Sequence, residues 1–395
     1  MFIINKDLYD SFLNYKIYIY TKYKIMKLYK KFSNLFDVNK IKQLSNKDIL
    51  IASSNKLKIY SITTFENIYK ISEINNPIIS IYDITEIDIA IPGQILLAIS
   101  LSNFSIQLIR LMIKNTSKKK IYKHKLVQEI KFNLNIKIKK LCINSFLGQL
   151  IISINNKIFY YQNQDKEKIK FNSYFQKEEE SGIKNEVIIK GITSLKNKND
   201  NLIITLEEKN IIINKIINKS FDLKIYYFEN LELITILKDL NIYPEKGLMS
   251  FMTYFNQDKP YLIIADGYDK LILIKMYDDF DIYDEIYLLK SIKELSSNKF
   301  NKSEYYDIMS ICGLNNGTFI ICLYYKESLN EKNYLIKGKI NLKSRKFELL
   351  DINNNAHNNK TNFITSSEMV KDNSKFEQYF CITGDHEGVL KIWKI

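Results

Sequence analysis

Three histidines, four cysteines and a few runs of like charge hold most of the reactive chemistry in this 395-residue chain. The cysteines are Cys142, Cys312, Cys322 and Cys381. No two have CxxC spacing and each lies among apolar neighbours, which reads as buried free thiols in a reducing compartment. His124, His357 and His386 do not stand at ligand spacing from any cysteine, so a zinc site is not expected. The chain has no G-x-S-x-G, H-E-x-x-H, Walker A or G-x-G-x-x-G motif. These residues therefore suggest no enzyme, no metal and no cofactor.

The charge runs carry two further chemistries. YDDFDIYDE (277–285) gathers Asp278, Asp279, Asp281, Asp284 and Glu285. A calcium loop needs ligands at alternate positions and a central Gly. Phe280, Ile282 and Tyr283 stand there instead, so a solvated acidic strand or loop is expected. KNTSKKKIYKHK (114–125) concentrates Lys114, Lys118, Lys119, Lys120, Lys123 and Lys125. It reads as an insertion projecting from an edge, either solvated or offered to a phosphate backbone or an acidic partner. His124 in that run reads as solvated, and His386 as an exposed turn residue. KEEESGIKNE (177–186) is the acidic counterpart and reads as a flexible loop.

Composition constrains what these runs mean. Lys and Arg number 58 against 44 Asp and Glu, a net charge of +14. Only Arg110 and Arg345 are arginines. Lys, Ile, Asn, Tyr and Phe abound while Arg, Gly, Pro, Ala and Trp are scarce, the pattern of A/T-rich codons. The lysine excess therefore reads first as base composition. Scarce Arg weakens nucleic-acid binding, because Arg makes the bidentate phosphate and guanine contacts. RNA remains a second reading, with Lys neutralising phosphate and strand aromatics stacking on bases. The start, MFIINKDLYD, lacks a secretory pattern, and no uncharged run is long enough for a membrane helix. An intracellular protein, cytoplasmic or nuclear, is expected.

The elements that must position these residues are strands. Apolar runs of four to eight residues alternate with Asn, Asp, Ser, Lys or Gly clusters. Only 232–240 and 283–295 suggest helices, and either also reads as strand plus loop. Seven segments read as strand, polar turn, strand: 49–62, 95–111, 150–162, 201–216, 261–276, 318–340 and 379–395. Their turns centre near Asn55, Asn103, Asn155, Glu208, Gly267, Ser328 and His386, about 48 to 61 residues apart. Most are preceded by one further apolar segment, and several are followed by another. Four strands per repeat describe propeller blades.

The last repeat, CITGDHEGVLKIWKI, resembles the end of a WD40 repeat. Thr383 and Gly384 stand where that family has a hydroxyl or small residue, and Asp385-His386-Glu387-Gly388 makes the turn. Trp393, the sole tryptophan, takes the family's Trp position. Lys394 replaces its Asp, and Glu387 its turn Asp. His357, after Ala356, takes the place of the family's Gly-His histidine. The match is good over about 17 residues and fair to about 40, and the other repeats match only as hairpins. The resemblance implies an all-β, seven-bladed WD40-like β-propeller. It also implies a buried network of His357, Thr383 and Trp393 bracing one blade, left incomplete by the longer Glu387. The function it implies is a non-catalytic scaffold that binds other proteins. Residues 1–35 are expected to form an extension and a closing strand, with KIYIYTKYKIM (16–26) as that strand. Residues 36–395 would form a monomeric propeller.

Overall fold

A computed structural model describes residues 26–32, 37–71, 79–116, 120–132, 138–163, 171–178, 185–196, 200–213, 216–240, 242, 251–256, 259–265, 270–288, 305–313, 318–327, 330–353, 356–357, 364–372 and 378–395. It begins with Lys27–Phe32 (β1). Blade 1 follows with Val38–Gln43 (β2), Ile49–Ser53 (β3), Lys56–Tyr60 (β4) and Asn67–Ile71 (β5). Blade 2 is Ile81–Ile87 (β6), Gln94–Leu101 (β7), Ile106–Asn115 (β8) and Lys120–Ile130 (β9). Blade 3 is Leu141–Phe146 (β10), Gln149–Ile154 (β11), Lys157–Asn163 (β12) and Phe171–Glu178 (β13). Blade 4 is Asn185–Lys196 (β14), Asn201–Ile213 (β15), Ile216–Tyr227 (β16) and Leu233–Leu237 (β17). Blade 5 is Phe251–Asn256 (β18), Lys259–Ala265 (β19), Lys270–Lys275 (β20) and Ile282–Tyr287 (β21). Blade 6 is Tyr305–Gly313 (β22), Thr318–Glu327 (β23), Asn330–Asn341 (β24) and Lys346–Asn353 (β25). Blade 7 takes Ile364–Asp372 (β26), Gln378–Asp385 (β27) and Leu390–Lys394 (β28) from the end of the chain.

These strands form seven four-stranded sheets, and the seventh has the order β1-β28-β27-β26. Every pairing within the sheets is antiparallel, and β1 pairs Leu28 with Trp393 and Phe32 with Leu390. The fold is an all-β, seven-bladed propeller closed by an N-terminal strand. That strand begins one residue beyond the expected segment 16–26. Residues 16–25 lie outside the described residues.

Burial explains why the second strand of each blade is a near-continuous apolar run. Strand β3 is buried at every position, as is β11 after Gln149. A strand covered on both faces has no polar side to alternate with. Each apolar cluster lies between two neighbouring blades. Leu50, Leu57, Ile84 and Leu97 join blades 1 and 2. Leu96, Leu108, Ile143 and Ile152 join blades 2 and 3. Further clusters join 3 to 4, 4 to 5, 5 to 6 and 6 to 7. Val38, Ile51, Phe65, Phe380 and Ile392 then join blade 7 back to blade 1. First strands of neighbouring blades touch one another, as β2 touches both β6 and β26, so these strands surround the axis.

Hairpin turns lock adjacent blades together. Ser54 adopts φ +50° and Asn155 φ +52°, the left-handed region that short polar side chains tolerate. The Ser54 N–H donates to the Asp37 carbonyl at 3.1 Å, and its own carbonyl accepts from Ile81 N–H of blade 2 at 2.9 Å. Asn155 repeats this device, accepting from Ile189 N–H of blade 4 at 2.7 Å.

Two local expectations are corrected. The helix candidates begin as outer strands, Leu233–Leu237 and Ile282–Tyr287; Leu288 is helical, and 289–295 lie outside the described residues. Their Ile and Thr content suits a pleated surface, and short apolar runs do not separate the two periods. The blade 4 turn does not centre on Glu208, because β15 runs through it to Ile213. Its polar residues carry cross-strand ion pairs, Glu208 to Lys190 at 2.9 Å and Lys209 to Asp222. The acidic segment is a turn followed by β21, with Lys275 held 2.7 Å from Asp279.

A chain beginning at residue 36, compared with one beginning at residue 26, lacks β1 and leaves Trp393 at an unpaired edge. Its thermal unfolding midpoint, read by calorimetry, should fall by about 5 °C or more. An unchanged midpoint contradicts closure by this strand.

Candidate functional site

A buried polar network lies inside blade 7. Strands β27 and β28 place Thr383 opposite Lys391 and Cys381 opposite Trp393. The segment around Ala356 brings His357 beneath them, with Ala356 N–H donating to the Asn333 carbonyl at 3.0 Å. His357 Nε2 lies 2.9 Å from Thr383 Oγ1, and Nδ1 lies 2.7 Å from Asp385 Oδ2. Trp393 Nε1–H donates to Thr383 Oγ1 at 2.9 Å. Asp385 Oδ1 accepts from Val389 N–H at 2.7 Å across the turn. All four side chains are buried.

The chain of donors has one direction. The Trp393 N–H gives to the threonine oxygen, the threonine O–H to His357 Nε2, and His357 Nδ1–H to Asp385. Every atom is satisfied only if the imidazole is neutral. A protonated ring would donate at both nitrogens and leave the threonine proton without its acceptor. Burial accordingly lowers the His357 pKa, with Asp385 opposing it. The neighbouring Lys391 ammonium donates to the Ala356 carbonyl at 2.6 Å, and burial and then Lys31 lower its pKa.

The carboxylate on the imidazole is Asp385, two residues before the Glu387 position suggested by the family pattern. The longer Glu387 therefore leaves no gap. Gly388 adopts φ +80° and closes the turn, its N–H donating to the Asp385 carbonyl at 3.1 Å. Gly384 serves a close approach, since a Cβ there would stand 2.4 Å from Val38 Cγ1 of blade 1.

Blade 4 repeats the arrangement with other residues, and this was missed in the sequence. Thr205 pairs with Lys224 and Ile203 with Tyr226, the register of Thr383 with Lys391 and Cys381 with Trp393. Glu207 stands in the place of Asp385. Thr205 Oγ1–H donates to Glu207 Oε1 at 3.1 Å, and Tyr226 O–H donates to it at 3.5 Å. Lys224 Nζ lies 3.0 Å from Glu207 Oε2. A lysine here supplies the positive partner, where blade 7 uses a neutral imidazole. The signal was T-x-E with K-x-Y, in step with T-x-D and K-x-W.

The lysine run is redistributed. Lys114 lies one residue before the end of β8, while Lys120, Lys123 and Lys125 lie on β9, so these four are strand residues and not a projecting loop. Lys118 and Lys119 lie outside the described residues. Lys120 is drawn inward, 2.9 Å from the buried Asp48, which also accepts from the Tyr122 hydroxyl. His124 is exposed on β9, its Nδ1 2.8 Å from the Tyr69 hydroxyl. Lys114, Lys123 and Lys125 remain exposed on the outer part of blade 2. The four cysteines are buried and free. Among the described residues no group of His, Cys, Asp and Glu is arranged to hold a metal ion. No helix among them is long and apolar enough to cross a membrane.

Substitutions in both blades test the networks. Thr383→Val removes the hinge between Trp393 and His357 and should cost about 2 kcal/mol or more in chemical denaturation. Lys224→Met leaves Glu207 buried without its cation and should cost about 3–5 kcal/mol. Adding Glu207→Leu should recover most of that loss. The His357 pKa is depressed in the fold, so the unfolded chain takes up the proton first as pH falls. Stability should therefore be full above about pH 6.5 and decline below it, at up to about 1.4 kcal/mol per pH unit. His357→Gln should lack that component, and an identical decline in both proteins contradicts the neutral assignment.

No family model matches the chain, and no curated protein matches it. Its fold is matched by a chain in the crystal structure of the mitotic checkpoint complex. The likeness has a TM-score of 0.58 at 9% sequence identity, covering 93% of this chain and 95% of that one. At that identity the likeness is one of fold, and the fold is a seven-bladed β-propeller.

Proposed function

We propose that this chain is a non-catalytic scaffold that holds other proteins together within a multi-subunit intracellular complex. The observation that carries this reading is where the reactive side chains are spent. His357, Thr383 and Asp385 are buried and hydrogen-bonded together in blade 7, and Glu207 and Lys224 are buried and paired in blade 4. A catalytic group must instead face a cleft that substrate can enter. A rigid disc with long connections offers many separate surfaces. A propeller of the same fold occurs in a complex, the mitotic checkpoint complex, which supports the reading.

Affinity purification of the tagged chain from its native source tests it. A defined set of proteins should co-purify in fixed ratio and survive nuclease treatment. Partners lost to nuclease, with association falling steeply as salt rises, would replace the scaffold with an RNA-bound subunit.

A further inference from the structure

We propose that the outer edge of blade 2, strand β9, binds an acidic, extended segment of a partner protein by strand addition. This rests on the scaffold reading and gives it one surface and one partner chemistry. Strand β9 is the last strand of its sheet and has 11 residues. The other outer strands have between 5 and 8 residues. A last strand has backbone N–H and C=O groups directed outward, which a further strand can pair.

Register places a row of cations beside that edge. Lys114 is opposite Ile121, Met112 opposite Lys123, and Arg110 opposite Lys125. These residues share the face of Leu108, which packs with blade 3. Lys114, Lys123 and Lys125 are exposed, and Arg110 Nε is buried without a hydrogen-bond partner. Among the described residues, no acid lies within ion-pair distance of these four cations. Each has another cation directly opposite or one diagonal step away, which is repulsive across a sheet. One of the two arginines in the chain is placed here.

The same lysines decide the occupant. They repel the matching edge of a second copy, a common protection of exposed strands. An incoming strand with carboxylates opposite Lys123 and Lys125 removes the repulsion while pairing the backbone. Successive side chains on one face recur every second residue, about 6.7 Å apart, so the segment must carry acids at alternate positions. Ile121 and Leu126, 38% and 41% exposed, ask for apolar neighbours at either end. Single-stranded RNA would want exposed aromatic platforms beside the cations. Here Tyr122 is turned to the opposite face and stacked on Tyr69 at 5.7 Å.

A test uses the full chain and three labelled probes followed by fluorescence anisotropy. They are a ten-residue peptide with Glu alternating with Val and Thr, the same peptide with Lys for Glu, and ten-nucleotide oligouridylate. The Glu peptide should bind. Lys123→Glu/Lys125→Glu should weaken it at least tenfold and gain the Lys peptide. Bound Glu peptide should slow hydrogen exchange at alternate amides of residues 121–127. If circular dichroism shows that the reversed variant is misfolded, Lys123→Gln/Lys125→Gln must still weaken binding at least fivefold. Absent binding, binding indifferent to these substitutions, tighter binding of oligouridylate, or no protection of β9 overturns the proposal. Nuclease-resistant protein partners retained by a chain that binds no peptide overturn the edge assignment alone. Loss of both overturns the scaffold reading as well.

Discussion

A blade that is apolar on both faces cannot be the last one in a row. Each four-stranded sheet in this chain buries side chains against the blade before it and the blade after it, so the stack is stable only as a ring. The interface that closes it holds Val38, Ile41, Ile49, Ile51 and Phe65 of blade 1 against Phe380, Ile382, Leu390 and Ile392 of blade 7. Returning even half of that cluster to water would cost on the order of 10 kcal/mol. That is comparable with the whole stability of a typical folded protein, about 5–15 kcal/mol. Strand β1 is needed because β28 would otherwise be an open edge beside Trp393. Met26, just before it, is buried among Cys312, Cys381 and Trp393 and donates its N–H to Asp351 of blade 6. The first and last described strands thus meet in one sheet, and the ring depends on them.

Within that ring, polar groups inside blades are tolerated only where every proton has an acceptor. Blade 7 meets this condition with a neutral imidazole between a hydroxyl and a carboxylate. Blade 4 meets it with a lysine–glutamate pair that collects two hydroxyls. The two solutions respond differently to conditions. The first weakens in acid as His357 takes a proton, while the second is sensitive to loss of either charge. Both leave these side chains without access to solvent.

Periodicity showed the fold because its cause is local. Strands buried on both faces must be apolar throughout, turns must be polar, and the repeat of about 55 residues follows from four strands and their connections. The WD40 resemblance placed His357, Thr383 and Trp393 in one blade because that hairpin is short and carries the sole tryptophan. What stayed illegible depended on partners far apart in sequence. Glu207, Glu208 and Lys209 read as a turn, since nothing local shows that Lys224, Lys190 and Asp222 neutralise them. The swap of Glu387 for Asp385 depended on which carboxylate the backbone aims at the imidazole. Lys120, Lys123 and Lys125 read as a loop because lysine density hid an alternating strand.

Position separates the lysines of this chain: Lys391 and Lys224 lie within blades, Lys120 against Asp48, and Lys123 and Lys125 at the β9 edge. All of these placements presuppose the closed ring. Its most direct test is a cross-link across the closing pair. Lys27 and Lys394 are paired across β1 and β28, so cysteines at both positions fall within disulfide reach. Mild oxidation of the folded Lys27→Cys/Lys394→Cys chain should form an intramolecular disulfide rapidly and raise the unfolding temperature. A folded protein whose introduced thiols stay free, or cross-link only between chains, would contradict closure.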